Sequence, residues 1–209
     1  MTMQTLDYYS IILFVIATCV TPGPNNVMLM SSGANFGIGR TMRHVAGINI
    51  GFPLMLIAVG VGAGAVFQQY PRLHDVLQVV GALYLLYLAY QIASAPTVDL
   101  DDKSGKPLGF THAALFQWVN PKAWVMAVGA VLTYTSPVDA YGFQILLIAL
   151  LFFLFGSPCS MVWVFFGQYL RRFLTHPQRL KAFNITMSLV LVVSLIPVLK
   201  SLPFGEWWS

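Results

Sequence analysis

The sequence predicts an all-α integral membrane protein whose six transmembrane helices form a 3+3 inverted repeat, with helices one and four broken. Three observations predict it. Of 209 residues, 57% are hydrophobic and only 9% charged, whereas a water-soluble domain has about a quarter of its residues charged. Six apolar runs have roughly the 20 residues a helix needs to cross a hydrocarbon core of about 30 Å. The first and fourth runs are interrupted at corresponding places, by "TPGPNN" at residues 21–26 and "WVNPKAW" at residues 118–124. Strands crossing a membrane would alternate apolar and polar residues, but "FPLMLIAVGVGAGAVF" is apolar throughout, which argues against a barrel.

The runs are taken in order. The first is expected over Tyr8 to Leu29 and is read as retained, because Asp7 stands where a secretory signal has basic residues and no small-residue cleavage site follows. The second covers Ala46 to Phe67, where the glycines of "GINIG" and "GVGAG" permit close helix approach. The third covers Asp75 to Ile92 and carries Tyr84, Tyr87 and Tyr90 at every third position, a pattern of packing or interface anchoring. A polar linker at 96–109 is too short for a soluble domain. The fourth run covers Phe110 to Thr135, the fifth Ala140 to Phe166 and the sixth Phe183 to Leu199, after which Trp207 and Trp208 read as an interfacial belt. The chain is thus one membrane domain, with repeat one at about 1–95 and repeat two at about 110–209. Three spans per half force the halves into opposite orientations, the plan of many secondary transporters.

Basic residues set the expected orientation. Arg40, Arg43, Lys103, Lys106, Arg171, Arg172, Arg179 and Lys181 fall in connections on one side, and only Arg72 and Lys200 fall on the other. The basic side is therefore expected in the cytoplasm and both termini outside. The formal net charge of +4 follows from this asymmetry, and nucleic acid is not an expected partner.

The interruptions carry the chemistry. Pro22 and Pro24 lack amide hydrogens and clash with the preceding turn, so the helix must unwind around Gly23. Fourteen residues from Tyr8 to Thr21 rise ~20 Å, which puts the break inside the membrane. Each freed carbonyl or amide there costs several kcal/mol unless it meets a partner or lines a cavity. Asn25 and Asn26 are expected to cap the new half-helix, whose N-terminal amides attract a carboxylate. Asn120 and Pro121 repeat the device in run four. Lys122 follows near the bilayer centre, where a lysine costs ~2.5 to 3.5 kcal/mol on insertion scales and is seldom unpaired. Asn49 is expected either to tie helices together or to line the cavity.

For the amino-acid substrate that the family resemblance of this chain implies, the carboxylate is expected against the amides near Asn25 and Asn26 or against Lys122, and the ammonium against freed carbonyls near Pro22 and Asn120. Thr21, Pro22, Gly23, Pro24, Asn25, Asn26, Asn49, Asn120, Pro121 and Lys122 make up the expected substrate site. The seven acidic residues fall at span ends or in loops, which leaves Lys122, His44 and His112 as candidate proton carriers. The rival from another class is a membrane thiol-disulfide relay through Cys19 and Cys159, although no C-x-x-C is present. A passive channel is disfavoured by the lack of a carboxylate ring or a carbonyl-rich filter. No catalytic, cofactor or metal-binding residues are assigned, since the Cys and His residues have no ligand spacing.

Thr21-Pro22-Gly23-Pro24-Asn25, the glycines at 47 and 51, "GALYLLYLAY" and Asn120-Pro121-Lys122-Ala123, in that order along the chain, resemble the LysE/RhtB family of amino-acid exporters. The combination of "TPGPNN", "AGINIGF" and "ALFQWVN" is most similar to its cysteine and O-acetylserine exporter branch. The resemblance implies export of amino acids or their derivatives, cysteine- or O-acetylserine-like and extending to homoserine or threonine, commonly in exchange for protons. The expected partners are therefore a small amino acid, protons and the lipid bilayer, with a homodimer allowed. Many members carry an acidic residue after the second-span glycine. Phe52 stands there in this chain, which counts against a cationic substrate.

Overall fold

The computed structural model describes residues 8–63, 69, 71–95, 105–135 and 140–196. Seven α-helices follow one another: α1 (Tyr8–Val20), α2 (Pro24–Ala58), α3 (Pro71–Ala93), α4 (Phe110–Phe116), α5 (Pro121–Tyr134), α6 (Tyr141–Arg171) and α7 (Pro177–Val193). A π-helical turn, Val59–Ala63, extends α2, and a 3-10 turn, Gln117–Val119, follows α4. Among the described residues there is no strand. Several expected features lie outside them: Asp7, Asp99, Asp101, Lys103, Asp139, Lys200, Glu206, Trp207 and Trp208, and the ends of the second and sixth runs.

Both expected breaks are present. The first run divides into α1 and the start of α2 across Thr21–Gly23, and the fourth into α4 and α5 across Asn120. Proline opens α2, α5 and α7 in each case. At a first helical position the missing N–H would have been unpaired anyway, so proline starts a helix at no loss.

The connection expected between the first two runs narrows to one residue: α2 is two helical arms that meet at a kink at Gly37 (φ 79, ψ 170), with Arg40 and Arg43 early in the second arm. Polar side chains there bond inside the helix and to each other, so polarity does not unwind it. Asn35 Nδ2 donates to the Ser31 carbonyl at 2.9 Å, Thr41 Oγ1 donates to the Gly37 carbonyl at 2.7 Å, and Ser32 and Thr41 share a hydroxyl hydrogen bond of 2.9 Å. Gly37 alone leaves helical geometry, in a region of φ/ψ that is essentially restricted to glycine.

The two longest helices, α2 and α6, form the spine. A Cβ on Gly33 would lie 2.4 Å from the Val164 carbonyl oxygen, and one on Gly167 would lie 2.0 Å from that of Met30. The backbones therefore touch, the close packing that small residues permit between membrane helices. The glycines at 47 and 51 likewise admit α4, with Phe110 O and Ala114 Cα at 2.4 and 2.6 Å from the positions their Cβ atoms would take. Around this spine α1 packs on α6, and α3 on α7. One apolar cluster joins Ile11, Met55, Ala127 and Ile148, and a second joins Leu85, Phe116 and Leu191.

The outer surface suits lipid. Val125 and Leu132 on α5 are 73% and 78% exposed, and side chains such as Leu146, Leu150 and Phe153 continue the apolar cover on α6. Two helices, Pro24–Gly62 and Tyr141–Arg171, are long and apolar enough to cross a membrane on their own. The basic connections gather at one end of the bundle: Arg40 donates to the Gly105 carbonyl, and Gly37 lies beside Arg171.

Replacing Gly37 with alanine forces a Cβ into that glycine-only conformation and against Gln168 and Arg171. The variant should lose about 1 to 3 kcal/mol of stability, seen as a lowered midpoint in thermal unfolding of the purified protein, while Gly39→Ala, with open space around its Cβ position, should melt close to the parent.

Candidate functional site

At the first break the carbonyls of Thr18, Cys19, Thr21 and Pro22 each have a side-chain donor. The Thr18 carbonyl, which Pro22 cannot serve, accepts Thr21 Oγ1 at 2.8 Å. Asn26 Nδ2 reaches back to the carbonyls of Cys19 and Thr21, both at 2.8 Å. Lys122 Nζ, arriving from the other break, donates to the Thr21 carbonyl at 2.6 Å and to Thr21 Oγ1 at 3.1 Å, and lies 3.4 Å from the Pro22 carbonyl.

This corrects two expectations. Asn25 and Asn26 do not cap α2: its N-cap is Gly23, and no side chain caps it. With Pro24 already in the first turn, both asparagines fall inside the helix, and their amide groups turn to other partners. The freed carbonyls of Thr21 and Pro22 do not stand open for a ligand's ammonium either, because the Lys122 ammonium holds them.

The second break is built in the same way. Asn120 is extended (φ -87, ψ 110), and its Oδ1 accepts the Lys122 backbone N–H at 3.2 Å, capping α5 as expected. The Trp118 carbonyl accepts Trp124 Nε1 at 2.7 Å. A reciprocal amide pair ties the breaks together, with Asn25 Nδ2 donating to Gln117 Oε1 at 2.8 Å and Gln117 Nε2 to Asn25 Oδ1 at 3.3 Å.

Between the breaks lies a narrow cavity of about 50 Å³. Gly23, Asn25, Asn26, Asn49, Asn120 and Lys122, all expected site residues, line it. Thr21, Pro22, Pro24 and Pro121 form the backbone of the breaks beside it. Asn49 both lines the cavity and ties two helices, since Ser160 Oγ donates to its Oδ1 at 2.8 Å. Gly23 is extended (φ -170), a conformation open to any residue. Its lack of a Cβ matters through space, because one would lie 2.7 Å from Lys122 Cδ and 3.1 Å from Nζ. Cys19 also lines the cavity, Cys159 is buried, and both are free thiols.

A larger cavity of about 790 Å³ lies toward the basic end, between α2, α3 and the start of α4. His44, His112, Tyr84 and Tyr87 are in its wall. Tyr84 packs on Phe116 with ring centroids 5.9 Å apart, whereas Tyr90 is 69% exposed. The tyrosine row therefore divides between packing and surface.

Sequence reasoning missed Gln117 and Ser160. Gln117 is fully buried and stands three residues before Asn120 inside an apolar run. A polar residue so placed was a signal that could have found it. Ser160 carried none, since serine is common in membrane helices.

A model of the LysE type translocator family matches residues 16–196. The cysteine/O-acetylserine efflux protein of Salmonella typhimurium strain LT2 is 30% identical over 180 residues, covering 86% of this chain and 90% of that protein. The protein of the same name from Escherichia coli strain K12 is 29% identical over the same shares. No solved structure matches the chain. With the family match spanning both breaks and every residue of the central cavity, this chain belongs to the LysE family of membrane translocators.

Proposed function

We propose that the protein is a secondary exporter of small neutral amino acids or their derivatives, with cysteine and O-acetylserine the first candidates, driven by exchange with protons across a bacterial inner membrane. Six spans in a 3+3 inverted repeat, with the basic end cytoplasmic, complete the reading. The observation that carries it is the Lys122 ammonium bound to the Thr21 and Pro22 carbonyls. That contact supports the reading because an amino acid carries the same ammonium group that Lys122 places between the two helix breaks.

The neighbouring chemistry suits the other end of the substrate. The first turns of α2 and α5 both border the cavity, through Asn25 and Asn26 and through Ala123. First-turn amides and the positive ends of helix dipoles favour a carboxylate. Phe52, Met126 and Phe152 supply an apolar wall for a short side chain. No described side chain around the cavity is acidic, so a second positive charge on the substrate finds no counter-ion, in keeping with a neutral side chain.

Exchange follows from exclusion. The carbonyl pair holds one ammonium at a time, so the substrate's ammonium and a protonated Lys122 compete for it. Substrate leaving on one side and a proton arriving at Lys122 from the other gives antiport.

In liposomes, the purified protein should move labelled cysteine or O-acetylserine faster when a proton gradient is imposed. Lys122→Met removes a charged hydrogen-bond donor worth about 1.5 to 3 kcal/mol, so flux should fall roughly ten- to hundredfold with insertion intact. Gly23→Ala should displace the Lys122 side chain and act in the same direction. Wild-type flux in both variants would reduce Lys122 to a packing residue and remove the main support for the site.

Cys19 in the cavity wall is the one observation that favours a thiol relay instead. Replacing Cys19 and Cys159 together by serine should leave flux within about twofold, since buried cysteines act mainly as small apolar groups. Complete loss of activity in a normally inserted double variant would favour the relay.

Orientation has its own measurement. Reporter fusions after Lys181 should score cytoplasmic and fusions after Trp208 external, and reversed signals would invert the assignment.

A further inference from the structure

Across the central cavity the two long helices face each other with matching stripes. Ile48, Asn49 and Phe52 of α2 and Phe152, Gly156 and Ser160 of α6 line it, at the three- and four-residue spacings that bring side chains onto one helix face. The rings of Phe52 and Phe152 meet with centroids 4.8 Å apart. Of these side chains only Asn49 is an amide.

One end of that amide is engaged and the other is not. Ser160 Oγ donates to Asn49 Oδ1 at 2.8 Å, which fixes the plane of the group. Among the described residues nothing accepts from Nδ2, and the atom is not sealed in the protein interior. Its neighbours on the same face of α2, Ile48 and Phe52, are 6% and 7% exposed, so the space left open to Asn49 is the cavity. An amide donor in an apolar wall is unfavourable until something accepts from it. A solute in the cavity can be that acceptor.

We propose that Asn49 reads the side chain of the solute. Its Nδ2 donates to an oxygen there, so the preferred amino acids carry a hydroxyl, ether or ester oxygen, and aliphatic ones leave the donor unmet and are rejected. Ser160 is a positioning residue that holds the amide, and the two phenylalanine rings cover the carbon atoms around the oxygen. The ammonium and carboxylate, common to all amino acids, cannot make this distinction. A thiol sulfur accepts only weakly, so O-acetylserine is favoured over cysteine. The inference rests on the exporter reading of the same cavity and names its substrate class.

The test pairs O-methylserine with norvaline, which has a methylene in place of the ether oxygen. Proteoliposomes of the full-length protein are loaded with both at equal concentration and a proton gradient is imposed. Mass spectrometry then compares the amounts released, after subtraction of leakage from protein-free liposomes. The ratio does not depend on how much protein is active, so a variant with lower flux is still read. The parent should release O-methylserine about three- to tenfold faster. Asn49→Leu should bring the ratio to about one or below. Ser160→Ala should lower it about twofold, and Ser160→Thr, which keeps the hydroxyl, should restore it. Tryptophan-fluorescence melting checks that each variant is folded, and Asn49→Ala replaces Asn49→Leu if the latter is not.

An unchanged ratio in the Asn49 variant overturns the inference, and a fall of both fluxes at constant ratio does so by placing Asn49 on the shared carboxylate. A parent ratio near one, or release of cysteine with neither of the pair, overturns it and leaves the exporter reading standing. No release of any of the three above leakage overturns the exporter reading, and the inference with it.

Discussion

Hydrocarbon does not forgive an unpaired backbone group, and this constraint organises the whole molecule. Proline at 22 and 24 removes two donors from the first helix, and proline at 121 removes one from the fourth apolar run. The carbonyls so released find partners in side chains that come from the opposite break or from just across their own. Lys122 Nζ on the Thr21 carbonyl at 2.6 Å is the central member of that set. The breaks and the lysine are each unfavourable alone, since a lysine at membrane depth costs ~2.5 to 3.5 kcal/mol and an open carbonyl several. Together they cancel much of each other's cost, which ties the start of α5 to the end of α1 more firmly than apolar packing does.

Placing the breaks against each other requires the helices that carry them to come close, and the glycine contacts explain how. Gly33 and Gly167 let α2 and α6 touch at the backbone, and the glycines at 47 and 51 bring α4 onto the second arm of α2. Gly37 allows that arm to turn back, so one helix borders both cavities: the central one through Asn25 and Asn49, and the larger one through Ser31, Arg40 and His44. Asn25 and Gln117, fastened to each other, lie where the two cavities approach along α2. Their paired amides give the fold a polar lock of two hydrogen bonds, and Gln117 Nε2 also donates to the Ala113 carbonyl.

Much of this was legible in the sequence. The apolar runs follow from composition, and both breaks follow from prolines set beside glycine or asparagine, whereas the isolated Pro53 and Pro158 stay inside α2 and α6. Asn25, Asn26, Asn49, Asn120 and Lys122 at the central cavity follow as well, because polar side chains at membrane depth are too costly to be idle, whereas Ser160 in the same wall does not. What could not be read was partnership. Asn26 has the composition of a helix cap, and only the geometry turns it backward onto Cys19 and Thr21. Residues 30–45 look like a connection by polarity, and the chain does turn there, but in the single residue Gly37, because Ser, Thr and Asn satisfy their own hydrogen bonds on either side of it. Gly37 resembles the chain's other glycines in sequence and differs only in φ. His44 was visible as a titratable residue near a span end, but its burial without a partner depends on three elements meeting around one cavity.

On the proposed reading of a proton-driven exporter, the same accounting gives a physical reason for coupling. If the halves rock apart while empty, the Thr21 and Pro22 carbonyls and the Lys122 ammonium lose one another, at several kcal/mol for each group left in an apolar setting. A zwitterion between them offers its ammonium to the carbonyls and its carboxylate to the first-turn amides of α2 and α5, leaving Lys122 neutral, so the loaded carrier meets a smaller barrier than the empty one. The return step needs another way to satisfy the carbonyls, and a protonated Lys122 restores it directly. On this reading selectivity and coupling arise from one requirement: the halves part easily only when something else completes the hydrogen bonds that hold them together. A solute lacking either charge completes only half of them and leaves the barrier largely in place.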